Sequence, residues 1–162
     1  MNLVNITPIM TSDTTPEPYS CSSSTGNVYK AFDNNSRTYW SSNAHATSAS
    51  IIFNFGEITP IYCITAVGSN NSSSGADINK IIVYGLNDDN EWILIKELKS
   101  NISSTNNSTV HTFYLDEQVT YKSYKFDIIT NNGTGRYMRL SEIKMYQDTD
   151  QITFKNKIKK LF

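Results

Sequence analysis

The chain has 162 residues, carries 14 Lys and Arg against 15 Asp and Glu, and includes 18 Asn, 20 Ser and 17 Thr. That length suits one domain with a sizeable core, and twelve per cent aromatics exclude a disordered chain. A net charge of −1 offers nothing to a polyanion, so nucleic acid is excluded as a partner. Met1–Met10 has no basic residue followed by an apolar run and does not read as a signal peptide. The most apolar stretches, Ala49–Phe55 and Ile61–Val67, are strand-length and fall far short of the roughly 20 apolar residues of a membrane helix. Taken in chain order, the predicted strands are Ser50–Phe55, Tyr62–Val67, Lys80–Tyr84, Trp92–Leu98, Thr109–Leu115, Ser123–Ile129 and Arg139–Tyr146. In Ser123–Ile129 the residues Tyr124, Phe126 and Ile128 share one face, opposite Ser123, Lys125 and Asp127. His111, Phe113 and Leu115 alternate in the same way. This period of two marks half-buried antiparallel strands.

The connections are turn chemistry. Asn70–Gly75, Asn101–Ser108 and Asn131–Gly135 mix Asn, Ser and Gly, and Leu86–Glu91 reads as a hairpin turn. Seven or eight short strands with polar turns predict an all-β antiparallel sandwich or jelly roll. The last stretch, Ile152–Phe162, differs: it sets Lys155, Lys157, Lys159 and Lys160 among apolar residues. A final strand or a linker explains it better than a membrane-surface or partner-docking tail, which stays open as the alternative.

Catalytic sets are missing. His45 and His111 have no second His, Cys or carboxylate at metal-ligand spacing, and His111 reads as a core or edge histidine. Asp88 and Asp89 sit in a tight turn, which explains them better than acid–base work. There is no nucleophile elbow, phosphate loop or dinucleotide fingerprint. Cys21 and Cys63 are too few for a zinc site and are either a disulfide or two buried thiols. The expectation is a binding platform rather than an enzyme.

One segment concentrates oxygen ligands: Lys30–Trp40, KAFDNNSRTYW, with Asp33, Asn34, Asn35, Ser36 and Thr38. Calcium takes roughly six to eight oxygens from carboxylates and carbonyls. On composition alone such a string is more often a plain polar turn.

Four blocks in order shift that balance. AFDNNSRTYWSS (Ala31–Ser42), IIFNFGE (Ile51–Glu57), IIVYGLNDDNEW (Ile81–Trp92) and SYKFDIITNNGTGRYMRLSEIKMY (Ser123–Tyr146) resemble the discoidin family, the coagulation factor V/VIII C-type domain. Family 32 carbohydrate-binding modules are the most similar branch. The resemblance spans about Asn5–Tyr146 and implies a galactose-binding-domain-like β-sandwich jelly roll of about eight strands. It divides the chain into a domain at 1–148 and a basic tail at 149–162.

The resemblance also implies a structural calcium ion. Its ligands would be the carbonyls of Lys30 and Ala31, then Asp33, Asn35 and Thr38, with Glu142 from the last strand. Asn34 stands where the family has Gly, and both tolerate left-handed backbone. Without an ion, Asp33 and Glu142 would cap the turn by hydrogen bonds. Trp40 and Trp92 fall where the family packs its core.

In sugar-binding relatives, loops at one end of the sandwich hold the ligand. A ring stacks on the sugar while His, Arg and Asn bond its hydroxyls. The matching loops are Ser41–Ser48, Ser69–Ala76 and Asn131–Tyr137. Tyr137 matches the stacking aromatic, and His45 lies in the histidine-bearing loop at a different offset. No Arg stands at the galactose-binding position near Ser69–Asn71, which leaves Asn70, Asn71 and Ser72 as polar candidates. Arg136 is a nearby cation, and Arg139 is either a second cation or a surface strand residue.

The implied function is a non-catalytic module that binds a cell-surface glycan and is stabilised by calcium. The alternative is an attachment or receptor-binding component of a phage tail or tail-like particle, with or without glycan binding. Either places the chain outside the cell, at a cell surface or on a virion. The polar loop tips disfavour the lipid-inserting branch of the family. A larger assembly, or a homo-oligomer built through the tail, remains open.

Overall fold

The computed structural model describes residues 1–71, 75–130 and 136–152. Eight strands run in chain order: β1 (Leu3–Asn5), β2 (Ser20–Ser23), β3 (Trp40–Ser41), β4 (Ser48–Gly68), β5 (Ile78–Leu86), β6 (Trp92–Ile102), β7 (Val110–Ile129) and β8 (Arg139–Asp148). A short 3-10 turn, Val28–Ala31, precedes β3. No helix of the described residues is long and apolar enough to cross a membrane.

The two long strands make the sandwich. The first half of β4 (Ser48–Asn54) pairs with the second half of β7 (Ser123–Ile129), while Thr59–Val67 pairs with Val110–Tyr121. Around the first pairing, β2 adds to β4, and β5 then β6 add beyond β7. Around the second, β8 adds to β4, and β1 and β3 add to the far edge of β8. All of these pairings are antiparallel. Each long strand therefore serves both sheets and turns the corner where the β4–β7 register shifts, between Asn54 and Thr59.

The alternation predicted for Ser123–Ile129 holds: Tyr124, Phe126 and Ile128 are fully buried. They meet Ile51, Phe53 and Phe55 from β4 and Phe32 from the loop after the 3-10 turn. Phe53 centres the aromatic packing, with ring centroids 4.7 Å from Phe32 and 5.0 Å from Phe55. Each such pair adds ~0.5–1.5 kcal/mol to the burial itself.

Several expectations change. Ser50–Phe55 and Tyr62–Val67 are parts of one strand, as are Thr109–Leu115 and Ser123–Ile129, because each strand runs on through the register shifts, where residues 55–58 and 115–118 bulge between paired segments. The short β1, β2 and β3 were not predicted. Cys21 and Cys63 are both free and buried, which settles the open choice against a disulfide. Trp40 is in the core at 1% exposure, but Trp92 is not. Trp92 opens β6 at the sheet edge and stands half-buried on the outer face. The Leu86–Glu91 turn closes as expected: the Glu91 amide donates to Asn87 Oδ1 (2.8 Å), and the Asn87 amide donates to the Glu91 carbonyl (3.0 Å).

Candidate functional site

Two clusters hold the residues singled out by sequence. The first lies where the loop after the 3-10 turn crosses β8. Asn34 adopts φ 54°, the left-handed conformation expected of it. This folds Asp33 back over its own loop. Asp33 Oδ1 accepts the Asn35 amide (3.0 Å), and Oδ2 accepts the Thr38 hydroxyl (2.6 Å). The Thr38 amide donates to the Asn35 carbonyl (3.0 Å). Lys30 and Ala31 end the 3-10 turn just before. On the facing strand Glu142 is 8% exposed, and its Oε1 has no hydrogen-bond partner.

The electrostatics of this pair are strained. Burial pushes the Glu142 carboxyl up to about 7; Lys144 and the Asn35 amide pull it down, and the Asp33 charge raises it. Lys144 does not neutralise the pair directly, since its ammonium donates to Asn34 Oδ1 (2.7 Å). Next to this loop is a cleft of about 180 Å³ whose lining includes Asn34, Glu142 and Lys144. A buried carboxylate oxygen with no donor, facing a second carboxylate, suits a hard cation. No group of three or more His, Cys, Asp or Glu side chains converges among the described residues. A cation here would complete its shell with carbonyl and amide oxygens, which is the chemistry of calcium and not of zinc. Of the residues named for the metal, Glu142 and Asp33 carry this fit.

The second cluster is a rim where four loops are sewn together. The Ser42 amide donates to the Met138 carbonyl (2.9 Å), the Met138 amide donates to Ser42 Oγ (3.0 Å), and the His45 amide donates to the Arg136 carbonyl (2.7 Å). His45 takes φ 59° and is exposed. Gly75 bridges Tyr137, and the Ala76 amide donates to the Tyr137 carbonyl (2.8 Å). Ser104 is the buried knot: its carbonyl accepts Ser69 Oγ (2.7 Å), and its own hydroxyl donates to the Ala76 carbonyl and accepts the Arg139 amide (3.0 Å).

On this base stand the side chains. The Arg139 guanidinium lies 5.0 Å from the Tyr137 ring centroid and 5.6 Å from that of Tyr39. Arg136 approaches Tyr137 at 5.3 Å. Asn71 Nδ2 donates to the Tyr39 hydroxyl (2.6 Å). The structure therefore brings together His45, Asn71, Arg136 and Tyr137 of the predicted set. Asn70 is exposed at the same loop, and Ser72 lies outside the described residues. Arg139 is no surface strand residue: at 4% exposure it is buried beneath the rim. Tyr39 was missed. Its only sequence signal was its place beside Trp40 in a loop with no established alternation.

Comparison with known proteins accords with this geometry. Residues 12–143 match the F5/8 type C domain. No curated protein matches the sequence significantly. The family 32 module of Clostridium perfringens NanJ, solved with galactose, is similar at TM-score 0.62 and 23% identity, over 80% of this chain and 92% of that one. The family 32 module of Streptococcus pneumoniae EndoD is similar at 0.65 and 17%, over 90% and 100%. A further Clostridium perfringens module, solved with GalNAc-β-1,3-galactose, is similar at 0.63 and 17%, over 80% and 94%. Fold and sequence together show that this chain belongs to the F5/8 type C, or discoidin, domain family.

Proposed function

We propose that this domain is a non-catalytic carbohydrate-binding module that grips a cell-surface glycan with its rim loops and is fastened by a structural calcium ion. The observation that carries the reading is the rim cluster itself, in which Tyr137 and Tyr39 are held by Arg139, with Arg136 and Asn71 beside them. A tyrosine ring offers an apolar face to the C–H patch of a pyranose. Guanidinium and amide groups read its hydroxyls. Arg139 contributes from below by setting the pitch of both rings, so less freedom is lost when the sugar arrives. Similar modules have been solved with galactose and with 4,5-unsaturated mannuronic acid, which supports a sugar as the ligand class.

For calcium, the support is the unpartnered Glu142 oxygen facing Asp33. Asp33, Asn35, Thr38 and Glu142, with the carbonyls of Lys30 and Ala31, would hold the ion. When bound it supplies only charge and crosslinking. A module of this kind works outside the cell, on a secreted or surface-displayed protein.

A glycan array tests the sugar reading. Wild-type protein should give hits in at least one glycan class, and Tyr137→Ala should lower that signal roughly tenfold or more with its melting point nearly unchanged. Silence across every class, or an unaffected Tyr137→Ala, would overturn it.

A further inference from the structure

The half-exposed Trp92 is not used by either cluster, and it lines a groove elsewhere. The outer face of the β2–β4–β7–β5–β6 sheet carries a depression of about 340 Å³ between β6 and β2. Trp92 and Leu86, paired across the β5–β6 hairpin, form one side. Ser123 and Asn54 form the floor, and Ser20 and Ser22 of β2 form the other side. Ser20, Asn54 and Ser123 follow one another across three strands in register.

Three features favour a ligand over plain surface. First, no residue lining the groove carries a charge. The Cys21 thiol at its edge also stays neutral, because burial and the nearby Asp13 carboxylate push it up to about 12. Second, the volume reaches the lower end of small-ligand sites, ~300–1,000 Å³. Third, the aromatic side is braced. The Lys125 ammonium lies 4.2 Å from the Tyr84 ring centroid and 5.4 Å from that of Trp92. Asp127 holds the same ammonium at 3.6 Å. A tryptophan fixed in this way stacks with little ordering cost.

We propose that this groove is a second carbohydrate site, remote from the rim, which takes a neutral pyranose unit against Trp92 with its hydroxyls bonded by Ser20, Ser22, Asn54 and Ser123. An indole face matches the C–H patch of a pyranose, while hydroxyl and amide side chains donate and accept as sugar hydroxyls require. The proposal stands on residues outside the rim and does not depend on the rim reading.

The chain reports on this groove by itself, because it has two tryptophans and Trp40 is 1% exposed. Titration with neutral tetrasaccharides of glucose, xylose, mannose and galactose should, for at least one of them, blue-shift the emission and protect it from acrylamide quenching. Calorimetry with that tetrasaccharide should show roughly tenfold or greater loss of affinity in Trp92→Ala and in Ser22→Arg. Ser22 is exposed on a short edge strand, so Ser22→Arg fills the groove without touching the core and decides the matter should Trp92→Ala fold poorly. Tyr137→Ala should leave this binding within about twofold of wild type. The proposal is overturned if no tetrasaccharide protects the emission, if Ser22→Arg binds like wild type, or if Tyr137→Ala abolishes the binding and so assigns it to the rim.

Discussion

Glu142 makes the calcium proposal testable through the pH dependence of melting with and without the ion. In the metal-free protein its carboxyl titrates near 7, above the ordinary 4.5, because it is buried. Between those values the folded chain binds more protons than the unfolded one, so metal-free stability falls as pH rises through this window and then levels. Calcium inverts the trend, since it binds the ionised carboxylate. Melting in chelator from about pH 5 to about pH 8 should show a falling contribution from Glu142, absent in Glu142→Gln. Excess calcium should raise the midpoint most at the alkaline end, and Glu142→Gln should abolish that rise. An identical pH trend in Glu142→Gln would remove the residue from the account. The family resemblance paired Asp33 with Glu142 across 109 positions, and in the structure the Asp33 charge acts on Glu142. Burial was less legible. Trp92 begins the run Trp92–Ile95, four apolar residues in a row, so a period of two assigns it no face. Arg139 was left open between a second cation and a surface strand residue, because strands usually alternate. The first five residues of β8 are all buried instead, covered by the core, by the rim loops and, at Glu142, by the Asp33 loop.

At the scale of elements, the bend that lets β4 and β7 serve two sheets has a specific fastening. The buried Tyr124 hydroxyl donates to the Thr59 carbonyl of β4 (2.6 Å) and accepts the Tyr121 amide of β7 (3.0 Å), so one side chain pins both strands at the corner. Tyr124→Phe keeps the ring and orphans both backbone groups. It should cost ~1–3 kcal/mol, read as a lower chemical-denaturation midpoint at unchanged slope. An unchanged midpoint would mean that water replaces the hydroxyl there. Gly56 makes the same corner from outside, with φ 81° and a Cβ position that would meet the Pro18 ring at 2.6 Å. Gly56→Ala therefore adds backbone strain to a clash and should also destabilise by ~1–3 kcal/mol, most of it absent from Gly26→Ala, where an added Cβ meets nothing. This corner also explains what the sequence concealed. The apolar runs on either side of Gly56 and Pro60 were expected as two strands, and the ladders to β7 on both sides of the shift show one. β1, β2 and β3 were invisible because strands of two to four residues carry too little pattern and exist only by pairing with β4 and β8.

Across the whole molecule, β8 is the axis along which the functional parts are spaced. The rim stands at its first residues, the Asp33–Glu142 pair next, and β1 zips onto its end through Asn5–Tyr146 and Leu3–Asp148. Ten residues of strand set the rim about 30 Å from that far end. There the N-terminal ammonium meets Asp150 (2.8 Å), and the Asn2 amide donates to Asp148 Oδ1 (3.0 Å). On this layout calcium would act on the domain as a whole, because it would join the loop before β3 to the middle of β8, two segments about a hundred residues apart that the Lys144–Asn34 bond ties and the Asp33 and Glu142 charges push apart. Ligand linkage gives ~2.7 kcal/mol of stabilisation at one hundred times the dissociation constant. For a chain of 162 residues that is a rise of roughly 5–10 °C in melting midpoint. Chelator should return the protein to the lower midpoint, magnesium should not substitute because it dehydrates reluctantly into carbonyl-rich sites, and Asp33→Asn should behave like the chelated wild type. Equal midpoints in calcium and chelator at about pH 8 would leave Asp33 as a turn cap and Glu142 as a buried acid, and would confine the rigidity of the rim to the Ser104 knot beneath it.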